Sequence, residues 1–180
     1  MLIKPPRKEI PIYLAAINQK MIELTWDVAN GVIFYLRPKA EMKQTIEKMQ
    51  TKKKIDTSLQ IITCIDNDCE KARNRAKKTL SFYIAVGKIY REFLKLNGYS
   101  DTIQEIYNEY NKTGLKKLDE LVPDEMLDGL CIAGTPDDGI KKLQEFRDIG
   151  IELPIIQFNP IGDTKISFEL LTKTFSREIQ

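Results

Sequence analysis

The chain has 180 residues, of which 42% are hydrophobic and 30% charged. That is the length of about one domain, with enough apolar content to exclude general disorder. A formal net charge of +2 gives no basic excess for a nucleic-acid surface, and the absence of histidine excludes Ser-His and Cys-His catalysis and histidine metal sites.

Ile10–Ala16 is a short, nearly continuous apolar run, and Gln19–Ala29 follows with Met21, Ile22, Leu24, Thr25 and Val28 at helical spacing. Gly31–Leu36 is a second β-rich run, and Met42, Ile46 and Met49 mark a helix over Glu41–Gln50. Leu59–Ile65 is a third strand. These runs are apolar on both faces, which predicts a buried parallel sheet with crossover helices.

Residues 68–121 read as an all-helical excursion. Asp66-Asn67-Asp68 caps a helix with a stripe at Ala72, Ala76, Leu80 and Tyr83, Gly87 kinks or ends it, and Asn97-Gly98 stops a second stripe at Ile89, Phe93 and Leu96. Asp101 starts a third, with Ile103, Tyr107 and Tyr110. The tyrosines read as packing rather than as a base-stacking platform. Thr135-Pro136-Asp137-Asp138 is a strong helix start, Gly150 ends that helix, and Leu153–Phe158 is a fourth strand. A final helix is expected over Ile166–Ile179.

Cys64, Cys69 and Cys131 are odd in number and widely spaced, which reads as free thiols in a reducing compartment and gives no metal site. Met1–Arg7 holds no apolar leader, and no run approaches the ~20 residues of a membrane span. The expectation is a soluble, cytoplasmic chain without nucleic-acid or membrane partners.

No glycine-rich dinucleotide or Walker motif is present. The first βα turn, Leu14–Lys20, is the candidate anion site. Small residues Ala15 and Ala16 admit a ligand, Asn18 caps the next helix, and Lys20 adds a countercharge. A plain capped loop is the other reading. Asn30-Gly31 is either a tight turn or a place where a ring approaches the backbone. Asp163 is either a functional group at a strand's carboxyl end or a turn residue.

Pro11–Ala16, then Lys20–Leu24, then Ala29–Ile33 form an ordered series that resembles luciferase-like monooxygenases. The nearest branch is the deazaflavin (coenzyme F-420)-dependent oxidoreductases, such as methylenetetrahydromethanopterin reductase. Cys131–Asp138 and Gly150–Phe158 agree with it. The resemblance implies a (β/α)8 barrel, of which this chain carries the carboxyl half, strands five to eight. It also implies that Ala15, Ala16, Ile17, Asn18 and Gln19 hold the coenzyme phosphate, with Gly31 close to the coenzyme. The family's Gly-Pro is Asn18-Gln19 here, and its Asp before glycine is Asn30. The catalytic residues belong to the amino half, so none is assigned.

The expected architecture is therefore α/β: half of a TIM barrel in a single domain over 1–180, with four parallel strands, crossover helices and the helical insertion. Four strands do not close a barrel. Ile12, Leu14, Ile33, Ile61 and Ile155 are the candidate inner wall. A second copy, a chain carrying the amino half, or the helical insert would cover it. The leading functional expectation is a fragment or split subunit of a deazaflavin- or FMN-dependent oxidoreductase that transfers hydride to or from a small molecule. A non-catalytic cofactor-binding remnant and a helical interaction module are the alternatives.

Overall fold

Leu59–Ile65 is apolar on both faces, as a strand covered from both sides must be. In the computed structural model, which describes residues 9–176, it is the larger part of the ten-residue strand β3 (Asp56–Ile65). Four more strands run parallel to it: β1 (Tyr13–Ala15), β2 (Gly31–Tyr35), β4 (Cys131–Gly134) and β5 (Leu153–Phe158). The four-residue β4 is additional to the four strands expected.

β3 organises the sheet. β2 pairs with Asp56–Gln60, β5 with Ser58–Thr63, and β4 with Ile62–Ile65. Ile62 and Thr63 pair with both β4 and β5, so those two strands lie on opposite edges. β4 thus takes the edge that β2 leaves after Gln60. β1 lies beside β2. Among the described residues, the far edges of β1 and β5 carry no strand.

Helices α1 (Gln19–Val28), α2 (Lys39–Gln50) and α7 (Pro136–Asp148) are crossovers, and α8 (Thr164–Ser176) follows β5. Thr135 and Asp138 form a capping box on α7 with Pro136 in its first turn, as its sequence predicts. Asp163 accepts from Lys165 N and Ile166 N at 2.9 and 3.0 Å, which makes it the turn residue that starts α8. Ile22 and Trp26 of α1, Met42, Ile46 and Met49 of α2, and Leu143 and Phe146 of α7 pack on Val32, Phe34, Leu59, Ile61 and Ile132. This is the outer face.

The helical excursion comprises α3 (Cys69–Val86), α4 (Lys88–Leu94), α5 (Ser100–Thr113) and α6 (Asp124–Leu130). It continues past residue 121 to Leu130. Gly87 separates α3 from α4, and Gly98, at φ 93°, separates α4 from α5. Ala72, Ala76, Leu80 and Ile84 of α3 share a core with Ile62, Cys64, Cys131 and Ala133. The insert therefore covers the carboxyl half of the inner face. Cys64 and Cys131 are buried beneath it and Cys69 is exposed. Burial pushes the Cys64 thiol up to about 12 and the Cys131 thiol well above its ordinary value.

Two expected wall residues are elsewhere. Ile61 lies in the outer core, and Leu14 pairs with Val32 and shares its side of the sheet. Side chains alternate, so a shift of one position reverses the face. Ile12 precedes β1 and is exposed. Ile33 and Ile155 are on the inner face, level with Ala15 and Gln60 respectively.

At the amino end of the inner face, the Tyr13 ring lies over Gly31 and its hydroxyl donates to Asp56. A Cβ on Gly31 would stand 2.3 Å from the ring and 3.1 Å from the Asp56 carbonyl. Gly31→Ala is expected to displace the ring, costing about 1–3 kcal/mol in urea unfolding.

Ion pairs anchor the insert. Arg73 of α3 reaches Asp128 at 2.9 Å and Asp124 at 3.0 Å, and Lys77 reaches Asp124 at 2.8 Å. Lys142 of α7 reaches Asp128 at 3.5 Å. Lys77 and Arg73 hold the Asp124 carboxyl below its ordinary value. Burial pulls Asp128 upward, but Arg73 and Lys142 outweigh it and lower it too. Both folded values lie below the unfolded value of about 3.9, so this stabilisation is complete above that pH and lost as pH falls through the folded values. Asp128→Asn is expected to flatten the acid limb of a stability-against-pH curve.

Candidate functional site

The turn after β1 has the form its sequence predicts. Asn18 is extended at φ −91°, ψ 163°, and its side chain accepts from Met21 N at 3.0 Å, so α1 begins at Gln19. The first intrahelical bond runs from Ile22 N to Asn18 O at 3.1 Å. The N–H groups of Gln19 and Lys20 precede it and point along the positive end of the helix dipole. Ala15, Asn18, Gln19 and Lys20 are exposed, and Ala16 is buried under the turn.

Arg37 holds this turn in place, and sequence reading missed it. Its Nη1 donates to the Ile17 carbonyl at 2.9 Å. It pairs with Glu41, and Thr45 Oγ1 donates to the same carboxylate at 2.8 Å. The guanidinium lies over Phe34 at 5.2 Å and Phe93 of α4 at 4.6 Å. Its side chain is 4% exposed. Leu36, just before it, has φ 47°, a conformation costly for a side chain larger than glycine. That turn carries the chain out of β2 and directs Arg37 to the β1–α1 loop. The one legible signal was a lone arginine directly after an apolar run.

The inner wall beside the turn is aromatic and amide-lined. Tyr35 of β2, Gln60 of β3 and Ile155 of β5 are level with one another. Gln60 Nε2 donates to Gln157 Oε1 at 3.1 Å, and Gln157 Nε2 donates to the Tyr83 hydroxyl at 3.4 Å. Tyr83 of α3 and Tyr90 of α4 stand edge-on to the Tyr35 ring, at 5.3 and 5.5 Å between centroids. Burial, then the neighbouring Tyr83 hydroxyl, push the Tyr35 phenol far above its ordinary value, so it stays protonated. Its hydroxyl is buried, with the Tyr83 hydroxyl and the Gln157 amide as its polar neighbours.

The structure thus gathers Ala15–Gln19, Arg37, Tyr35 and Gln157 near the carboxyl ends of the strands. Gly31 opens β2 at the other end, level with Tyr13 and covered by its ring. It is apart from Ala15–Gln19. The donors at the start of α1 suit an anionic tail. The aromatic wall and the glutamine amides of Gln60 and Gln157 suit a planar ring that bears acceptors. Both parts of a phosphate-bearing deazaflavin or flavin fit the residues present.

The profile of the luciferase-like monooxygenase family matches residues 1–153. The chain belongs to that family. It is 27% identical over 176 residues to 5,10-methylenetetrahydromethanopterin reductase of Archaeoglobus fulgidus, covering 91% of this chain and 53% of that protein. Against the reductase of the same name from Methanolobus tindarius, it is 27% identical over 181 residues, covering 95% and 54%. The fold is similar to the coenzyme F-420-dependent tetrahydromethanopterin reductase of Methanopyrus kandleri, with TM-score 0.77 at 21% identity, covering 95% of this chain and 51% of that one. An F-420-dependent secondary alcohol dehydrogenase follows at TM-score 0.64 and 16% identity. The chain spans about half the length of the curated relatives it matches.

Replacing Arg37 tests the first turn. Arg37→Met keeps the packing on Phe34 and Phe93 but leaves Glu41 without its cation. It is expected to cost about 2–4 kcal/mol in urea unfolding.

Proposed function

We propose that this chain is one half of a deazaflavin-dependent luciferase-like oxidoreductase, binding coenzyme F-420 within a barrel that an amino-terminal half completes. The single observation that carries the reading is the family match across 153 residues, together with curated relatives named as reductases. The exposed, Asn18-capped start of α1 after β1 supports it independently.

The coenzyme, when bound, supplies the hydride chemistry, and the protein supplies binding and orientation. The N–H groups of Gln19 and Lys20 hold the anionic tail. Arg37 fixes the Ile17 carbonyl, which keeps those donors aimed outward. Tyr35, Gln60 and Gln157 line the wall that the ring faces. The insert, through Tyr83 and Tyr90, excludes water from the carboxyl end of that wall.

The need for a complementary half follows from what the insert leaves uncovered. Leu153 and Ile155 on β5 remain 43% and 40% exposed, and Ala15 is exposed on β1 at the opposite edge of the sheet. Burying such side chains contributes roughly 1.5–3 kcal/mol each. The unpaired edges of β1 and β5 offer backbone groups to further parallel strands. A homo-oligomer, with a second copy in place of the amino half, is the other way to cover them. Three free cysteines accord with a reducing, cytoplasmic setting.

Light scattering of the isolated chain is expected to show self-association, or tight uptake of a chain bearing the amino half. A monodisperse monomer that binds no apolar dye and no such half would refute the half-barrel reading. Asn18→Asp tests the anion site. Aspartate caps as well as asparagine does, so stability should hold, while the added charge should weaken F-420 binding about tenfold, as measured by fluorescence titration. Unchanged affinity would exclude this loop as the anchor. Adding the amino half and assaying hydride transfer separates a working half from a remnant that binds without turnover.

A further inference from the structure

The outer helices differ in what they show to water. α2 and α7, joined by the Lys39–Glu145 ion pair, expose no large apolar side chain among the described residues. α1 and α8, which flank them, do: Leu24 and Val28 of α1 and Phe168 of α8 are exposed. Around α1, Ile22, Thr25 and Trp26 face the sheet, Leu24 and Val28 share one side, and Glu23 and Asp27 share the other. The right-handed crossover to β2 turns the charged side towards α2 and the apolar side out past β1. At the opposite flank, Phe168 stands edge-on to Phe158 at the end of β5, 5.4 Å between centroids. The edges of β1 and β5 beneath these helices carry no further strand among the described residues. Each flank is thus open in both layers, strand and helix.

We infer that the amino half docks from the sides, laying one of its helices against Leu24 and Val28 and another against Phe168 while its strands continue the sheet from β1 and β5. The inference rests on the half-barrel reading above and assigns that partner its contact surface. A parallel strand added to an edge arrives with its crossover helix on the outer face, so it brings the helix that the flank lacks. A partner lying flat on the inner wall would cover Leu153 and Ile155 and leave α1 and α8 as they are. A second copy of this chain has the strands but not the room. It would bring a second insert to the carboxyl end of the barrel, where α3 already covers Ile62 and Cys64, and the interior of an eight-stranded barrel is only wide enough for side chains. The partner that fits supplies strands and crossover helices without that insert.

The test titrates the full chain with the segment of the Archaeoglobus fulgidus reductase that it does not match, and reads complex formation by sedimentation. Val28→Glu on one flank and Phe168→Glu on the other are each expected to weaken uptake about tenfold or more. Leu24→Glu repeats the test of α1. Gln44→Glu, which adds the same charge to the exposed face of α2, is expected to leave uptake unchanged. Val28→Glu and Gln44→Glu alter positions that are in water in the isolated chain, so its melting temperature should stay level. Wild-type uptake by the flank variants would overturn the inference and leave the partner on the inner wall alone. Loss at one flank only would overturn the two-sided docking. An equal loss with Gln44→Glu would report net charge rather than the flanks, and a dimer of the isolated chain that Phe168→Glu breaks would put a second copy there; both overturn it. If the wild-type chain takes up no segment and stays monomeric, the half-barrel reading itself fails, which is a different result from silent variants.

Discussion

A parallel sheet is stable only when both of its faces are covered. Here the two faces are covered by different means. The outer face receives α1, α2 and α7, the crossovers that parallel connections require, and α8 after the last strand. The inner face receives the insert, and only over the carboxyl half of β3, where Ile62 and Cys64 meet Ala72, Ala76 and Leu80. The inner face is thereby divided into a covered end under the insert and an open end where Leu153 and Ile155 stay exposed.

The ion pairs and the strained turn belong to the same arrangement. Arg73 ties α3 to α6 within the insert, and Lys142 ties α6 to α7. Arg37 bridges three parts at once: the β1–α1 turn, the start of α2 and the ring of Phe93 in the insert. A buried guanidinium is costly unless its donors are used. Its use here is to connect the β1–α1 loop with α2 and with the insert. The left-handed Leu36 is the local cost of that connection.

Much of the fold was legible because it depends on local patterns. The doubly apolar runs at Gly31–Leu36, Leu59–Ile65 and Leu153–Phe158 became β2, β3 and β5, and Thr135-Pro136 and Asn18 started helices as their chemistry requires. β4 escaped because four residues are too few for a periodicity. The facing of Leu14 and Ile61 escaped because a strand buried on both sides has no alternation to read. The insert was one of three covers open to the inner wall, and the stripe Ala72, Ala76, Leu80 could not choose among them, because it says that a helix buries one face, not against what. Within the candidate site, the capped β1–α1 turn was visible from Asn18. Tyr35 and Arg37 were not, since their roles arise from contacts with Tyr83 and Ile17, 48 and 20 residues away in the chain.

The three thiols give this molecule a built-in gauge of its own integrity. Cys69 opens α3 at the surface, whereas Cys64 and Cys131 lie on neighbouring strands under the insert, their ionisation suppressed by burial. Thiolate is the form that alkylating reagents attack. The native chain should therefore take one label rapidly, and two more only when α3 lifts from β3 and β4. Counting labels by mass over time would then follow the detachment of the insert alone, without a ligand and without any change to the sequence.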